Sequence, residues 1–154
     1  MKFPNDFKFG VSTSSYQIEG AATLGNRSPG IWDTFCNTPG KVANGDTGEV
    51  AIDHFHRYKE DIAIMKSLGL DAYRFSLSWP RLFPEGMDKP VEQAGVDFYN
   101  SVIDELIAQG ITPMITLFHW DLPQYIEDRG GWAARQVRSE ERRVGKECLR
   151  LCRS

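Results

Sequence analysis

The sequence contains few cysteines and no long apolar segment, and these shortages exclude several classes of protein. Its three cysteines have neither the number nor the spacing of a disulfide framework or a zinc site. No apolar run approaches the roughly 18 residues that a membrane-spanning helix needs, so we predict no transmembrane segment. The first residues also lack the apolar core of a secretory signal, which leaves the cytoplasm as the default prediction for location.

Strong charge and phosphate-binding loops are missing as well. A formal net charge of −3 does not favour binding to nucleic acid or to a membrane surface. No glycine-rich loop follows a predicted strand with phosphate-binding spacing, which argues against a nucleotide-binding open sheet. A hydrophobic content of 41% is typical of a globular domain. We expect no metal and no cofactor, and the sequence does not indicate an oligomeric state.

Residues 138–154 differ in composition from the rest of the chain. They carry six basic and three acidic side chains, whereas the preceding 137 residues carry 12 basic and 18 acidic ones. They contain no aromatic residue, and they resemble the in-frame translation of a sequencing adapter. We therefore interpret 1–137 as the folded region and 138–154 as an artefactual or disordered tail, with a solvated basic helix as the alternative.

Apolar periodicity before the tail predicts strands that alternate with helices. Helices are predicted over 53–68 and 95–109, because apolar residues recur there at steps of three and four. Strands are predicted over 9–14, 72–78 and 111–117, and 20–53 is predicted to be a loop. This order predicts parallel βα units, which suit either a barrel or an open sheet. A barrel of eight units needs about 250 residues, so the chain holds about three units.

Some local predictions follow from individual residues. Asp53 is predicted to cap the first long helix, with His54 on its surface. Pro113 is expected near the start of the third strand, because proline cannot donate to a central ladder. The second strand alternates strictly, which predicts one apolar face with Tyr73 and Phe75 and one polar face with Arg74.

Five segments in the first 137 residues resemble, in order, the signature blocks of family 1 of the glycoside hydrolases. They read FKFGVSTSSYQIEGA at 7–21, GIWDTF at 30–35, DHFHRYKED at 53–61, YRFSLSWP at 73–80 and TLFHWDLP at 116–123. The resemblance implies an α/β fold, a partial (β/α)8 TIM barrel of about the first three βα units. It also implies a retaining β-glucosidase that acts on a small-molecule β-glucoside or oligosaccharide.

The resemblance also implies roles for particular side chains at the carboxyl ends of the strands. Gln17 is implied to bind sugar hydroxyls through an amide that can both donate and accept. His119 is implied to bind a ring hydroxyl, and Trp120 to make an adjacent contact. Arg74 is implied to lie beside the nucleophilic glutamate and to lower its pKa. The alternative for Arg74 is a structural salt bridge to an acid within this chain.

Other residues of the matched segments are predicted to be structural. Glu19 is interpreted as a structural partner rather than a catalyst. Trp32 and Phe35 are expected to pack the first loop, with a place at the aglycone entrance as the alternative. Asp121 begins the turn before Leu122 and Pro123; it is expected to help position the neighbouring loop, and we assign it no chemistry.

Both catalytic carboxylates of such an enzyme are absent from this sequence. Members of the family carry the acid/base in an Asn-Glu-Pro motif and the nucleophile in a Glu-Asn-Gly motif, and neither occurs here. We therefore predict that the chain as given hydrolyses no glycoside. A 6-phospho-β-glycosidase and a non-catalytic carbohydrate-binding relative remain alternatives, because the features that separate them lie downstream.

Overall fold

Three short parallel strands and the helices between them form the part of the chain that the computed structural model describes, residues 2–135. The strands are β1 (Gly10–Ser12), β2 (Ala72–Ser76) and β3 (Thr112–Thr116). The α-helices are α1 (Ser15–Ile18), α2 (Ile31–Asn37), α3 (His54–Ser67), α4 (Trp79–Leu82), α5 (Gln93–Ala108) and α6 (Gln124–Glu127). Two 3₁₀ turns cover Ala43–Gly45 and Gly131–Ala133. The predicted tail lies outside the described residues.

The sheet has the order β1-β2-β3, and both neighbouring pairs are parallel. Ser12, Arg74 and Met114 occupy one register row across it. The two long helices α3 and α5 pack on each other, and α5 also packs on β3. This alternation confirms the prediction of parallel βα units, including Pro113 at the second position of β3.

The two faces of the sheet differ in burial. Tyr73 and Phe75 are buried in a core that includes Ile62 of α3 and Leu106 of α5. Arg74 lies between Tyr73 and Phe75 in β2, and Met114 is its register partner in β3. Both Arg74 and Met114 are exposed. The alternation predicted for the second strand is therefore confirmed at residues 73–75, where one face packs on helices. It ends at Ser76, which is buried by its hydrogen bond from the Ser15 amide.

Several local predictions are wrong. The predicted buried strand at 9–14 is shorter, and all three residues of β1 are exposed because β1 is an edge strand with one neighbour. The predicted loop over 20–53 contains α2, whose first turn is held by the Gly30 amide donating to Asp33 Oδ2 at 2.7 Å. Since α2 has only seven residues, its periodicity is too short to be recognised among glycine, asparagine and proline.

The start of α3 also departs from the prediction. Asp53 occupies the N-cap position with a left-handed φ of 58°, and its side chain makes no capping hydrogen bond. Its Oδ1 instead contacts His56 Nδ1 at 2.6 Å. His54, predicted on the surface, is 3% exposed, and its Nδ1 lies 2.6 Å from Asp61 Oδ2. A histidine can be buried there because the Asp61 carboxylate satisfies its ring nitrogen.

No helix between residues 2 and 135 has the length and apolarity needed to cross a bilayer.

Candidate functional site

The candidate substrate residues lie on or just beyond the ends of the three strands. Gln17 belongs to α1, which begins three residues after β1 ends. Arg74 is the third residue of β2, and His119 and Trp120 follow the last residue of β3. Since the strands are parallel, their carboxyl ends meet at one edge, which is where barrel enzymes build their active sites.

Gln17 is exposed, and its side-chain amide makes no hydrogen bond to any residue in 2–135. The alternative of an amide that caps backbone groups is therefore not seen in this part of the chain. The neighbouring Ser15 and Glu19, by contrast, are buried and hydrogen-bonded. One short helix thus presents an amide to the outside and buries the polar groups on either side of it.

Arg74 is exposed on the face of the sheet that carries no helix. It pairs in register with Ser12 on one side and Met114 on the other. Within residues 2–135 it forms no salt bridge, so the alternative of a structural ion pair is not seen there. An unpaired guanidinium on this face remains available to a carboxylate from another source.

The segment after β3 turns away from the strand. The Leu77 amide donates to the Thr116 carbonyl at 3.1 Å, and Trp79 Nε1 donates to the Leu117 carbonyl at 2.7 Å. Trp120 then adopts a left-handed φ of 67° and is 68% exposed, with its ring 6.4 Å from that of His119. Because the chain bends here, strand alternation does not predict the direction of either side chain.

The structure therefore brings the four candidates to one edge but does not join them by hydrogen bonds or ion pairs among the described residues. Gln17 and His119 follow β1 and β3, and Arg74 is the middle residue of β2, which lies between those strands. Only His119 and Trp120 are in ring contact. The connections between the strand ends are made instead by buried side chains beside the candidates. Of these, the sequence indicated only Asp121, as a residue that positions its own loop.

Ser15, Ser76 and Asp121 connect the three strand ends. The Ser15 amide donates to Ser76 Oγ at 2.8 Å, and Ser15 Oγ donates to Asp121 Oδ2 at 2.6 Å. All three residues are buried, and Ser15, the most exposed of them, is only 3% exposed. The second oxygen of Asp121, Oδ1, is buried without a hydrogen-bond partner among the described residues.

The environment of Asp121 favours its protonated form. Burial raises its pKa to about 7, the hydrogen bond from Ser15 opposes that rise, and the charge of Glu19 adds to it. Arg27 lowers the pKa by a smaller amount. Asp121 is therefore a poorly stabilised buried carboxylate at neutral pH.

Glu19 lies in a second buried cluster with Arg81 and Tyr99. Arg81 Nε donates to Glu19 Oε2 at 3.1 Å, and the Tyr99 hydroxyl donates to Oε1 at 2.6 Å. The Arg81 guanidinium also lies 4.4 Å from the centre of the Phe55 ring. Burial raises the pKa of the Tyr99 hydroxyl well above its usual value, and Glu19 adds to the rise. The predicted structural role of Glu19 is supported by these contacts.

Arg81 could have been found from the sequence, because a charged residue in an otherwise apolar stretch implies a buried partner. Tyr99 could not, since its helical spacing predicted only a core side chain.

In the segment that was predicted as the first loop, Trp32 packs on Tyr16 and on Phe35 with ring centres 6.3 and 5.8 Å apart, which supports the packing interpretation. Cys36 in α2 is a free cysteine and is partly exposed.

In the part of the chain that the structure describes, no group of three or more histidine, cysteine, aspartate or glutamate side chains could hold a metal ion.

Comparison with known proteins matches this fold and these segments. The curated β-glucosidase A of Thermotoga maritima is 55% identical over 136 residues, which cover 88% of this chain and 30% of that protein. The solved family 1 β-glucosidase of Exiguobacterium antarcticum is 47% identical with a TM-score of 0.93, covering 97% of this chain and 33% of that one.

A solved β-glucosidase of Thermotoga maritima in complex with deoxynojirimycin is also similar, at 53% identity and a TM-score of 0.87. The match covers 90% of this chain and 32% of that one. The chain thus spans about a third of the length of these relatives. Their barrel explains the open sheet, since three parallel strands form part of a (β/α)8 barrel.

The sequence profile of glycosyl hydrolase family 1 matches residues 1–150 of the 154. The match includes every segment that carries the candidate residues and both buried polar clusters. The chain belongs to glycosyl hydrolase family 1.

Proposed function

We propose that this chain is the amino-terminal part of a retaining β-glucosidase that hydrolyses O-glycosyl bonds. The observation that carries the proposal is that Gln17, His119 and Trp120 follow the carboxyl ends of parallel strands, with Arg74 in the strand between them, inside segments that match the family. In such a site Gln17 and His119 bind sugar hydroxyls, and the exposed Trp120 ring lies against the substrate.

Arg74 has an electrostatic role in this proposal. A guanidinium within about 4–6 Å lowers the pKa of a carboxylate by about 1–3 units, which keeps a nucleophile ionised. The open face of β2 and the absence of a salt bridge within residues 2–135 support such a partner from a later strand. No metal or cofactor is needed for the hydrogen bonds of Gln17 and His119 or for the stacking of Trp120.

The reaction itself needs groups that this sequence does not contain. Retaining hydrolysis uses two carboxyl groups about 5–5.5 Å apart, one as nucleophile and one as acid and base. Neither Asn-Glu-Pro nor Glu-Asn-Gly occurs in the 154 residues. We therefore propose that the isolated chain is inactive and that a small-molecule β-glucoside is the substrate only of a protein that supplies both glutamates.

The test uses the protein encoded by the complete reading frame that contains this chain, called the complete protein below. It should contain both glutamate motifs and hydrolyse an aryl β-glucoside, whereas the purified 154-residue chain should not exceed a blank. Gln17→Ala and His119→Ala should each lower kcat/KM at least about tenfold, because they remove hydrogen bonds to the sugar. An aryl 6-phospho-β-glucoside as the better substrate would contradict the proposed specificity.

We further propose that residues 138–154 are not native to the protein. Their basic, aromatic-free composition supports this interpretation. Resequencing the locus tests it, and native codons for the same 17 residues would contradict it.

A further inference from the structure

Ser15, Ser76 and Asp121, called the clasp below, join the segments after β1 and β3 to the end of β2. We propose that the clasp positions the substrate-binding side chains, so that Asp121 and Ser15 are positioning residues for glycoside hydrolysis. This inference rests on the proposed function. It concerns residues that make no substrate contact in that proposal.

The clasp joins parts of the chain that are far apart in sequence. Ser15 and Asp121 are separated by 106 positions, and Ser15 and Ser76 by 61. The Ser15–Asp121 hydrogen bond is 2.6 Å long, which is in the range of a hydroxyl donating to a charged acceptor. Both partners are buried, so water does not compete for the bond.

Each candidate substrate residue lies within two positions of a clasp residue. Gln17 follows Ser15 by two positions, and His119 precedes Asp121 by two. Arg74 likewise precedes Ser76 by two positions. With so few rotatable bonds between them, a shift of the clasp moves the candidates, and a misplacement of about 1 Å can lower a rate about 100-fold.

An aspartate at position 121 lowers the stability of the fold. Its Oδ1 is buried without a partner in the described region, and an unsatisfied buried acceptor destabilises a protein by about 1–3 kcal/mol. An apolar side chain of similar volume is often as stable or more stable at such a place. A directional bond to Ser15 is what the carboxylate adds, which favours a geometric role.

Neighbouring contacts support this role. The Leu77 amide donates to the Thr116 carbonyl at 3.1 Å, and the Thr13 amide donates to the Arg74 carbonyl at 2.9 Å. These backbone bonds align the strands but end before Gln17 and His119. Beyond them, the Ser15–Asp121 bond is the side-chain link between the two segments within residues 2–135.

The test compares Asp121→Ala, Ser15→Ala and Asp121→Asn in the complete protein. Asp121→Ala and Ser15→Ala remove the link and should lower kcat/KM for an aryl β-glucoside about tenfold or more. Asp121→Asn keeps an oxygen that accepts from Ser15 and should retain activity within about threefold. The matched control is Asp71→Asn, which weakens the 2.9 Å hydrogen bond from the Phe9 amide at the amino ends of β1 and β2, away from the clasp.

Hydrogen exchange supplies a readout that does not depend on activity. Asp121→Ala should raise amide exchange in residues 15–18, whereas Asp71→Asn should leave exchange there unchanged. If all folded variants lose activity equally, or if Asp121→Asn is as impaired as Asp121→Ala, the positioning role is wrong. If Asp121→Ala fails to fold, Ser15→Ala decides by the same two readouts.

The two proposals fail in different ways. If the complete protein hydrolyses no β-glycoside but exchange at 15–18 responds to Asp121→Ala, the proposed function is wrong, and the role in glycoside hydrolysis falls with it. If the complete protein is active and neither variant changes kcat/KM or exchange, the clasp proposal alone is overturned.

Discussion

The two buried polar clusters beneath the strand ends differ in how well their charges are satisfied. Glu19 has one donor on each carboxylate oxygen, Arg81 and Tyr99, while Asp121 has Ser15 on one oxygen and no described partner on the other. The first cluster joins the end of α1 to α4 and α5, and the second joins the segments that follow β1 and β3 to the end of β2. The difference indicates that the first stabilises the fold, whereas the second holds a geometry that costs stability.

The largest expected effect comes from breaking the satisfied cluster. Arg81→Ala leaves the Glu19 carboxylate buried without its cation, which should lower the free energy of unfolding by about 3–5 kcal/mol. Urea unfolding of the complete protein measures this change. Arg57→Ala, which removes an exposed ion pair with Glu60, is the control and should change little. Equal losses for the two variants would show that burial of the pair is unimportant.

The next largest effect is a pH dependence of the stability that the cluster around Asp121 contributes. The pKa of Asp121 is raised from 3.8 to about 7, so the folded state keeps a proton that the unfolded state has released. The stability that this bound proton on Asp121 gives to the folded state is therefore lost as pH rises from about 4 to about 7. Asp121→Asn removes this titration while Glu19 and Arg27 remain beside it.

The stability of Asp121→Asn relative to the parent should rise by about 2–4 kcal/mol between pH 4 and pH 8. Urea unfolding at both pH values measures the difference. A relative stability that does not change with pH would mean that the remaining barrel supplies a donor to Oδ1.

A smaller loss is expected when one donor of Glu19 is removed. Tyr99→Phe leaves Glu19 Oε1 without its hydroxyl donor and the Ser78 amide without an acceptor. An unsatisfied buried group destabilises by about 1–3 kcal/mol, so thermal unfolding should report a loss in that range. Tyr125→Phe is the comparison, since that hydroxyl is only partly buried. A loss no larger than that of the comparison would contradict the account.

The smallest effect on stability is expected in the clasp. Ser76→Ala leaves one buried group, the Ser15 amide, without its acceptor, whereas Tyr99→Phe leaves two groups unsatisfied. The expected loss is therefore about 1 kcal/mol, at the low end of the range for an unsatisfied buried group. Unfolding of the complete protein measures it, with Ser101→Ala on the exposed side of α5 as the control. A loss as large as that of Arg81→Ala would mean that the clasp is mainly a stabilising device.

Sequence periodicity predicted the strands and the long helices because their apolar residues repeat over several turns or alternate strictly. It missed α2, which is too short to show a period, and it placed His54 on the surface, because the packing of that ring near Tyr73 of β2 is a tertiary contact. The resemblance located Gln17, Arg74, His119 and Trp120. It did not indicate Asp121 as a link, since its partner Ser15 lies 106 positions away.

The amino-acid sequence by itself determined the family, the βα order and the residue types at the strand ends, because these depend on local patterns and on matched segments. Tertiary structure alone decided which polar groups are satisfied. A carboxylate such as Glu19 or Asp121 is stabilised only by donors that folding brings within hydrogen-bond distance, and those donors come from distant parts of the chain.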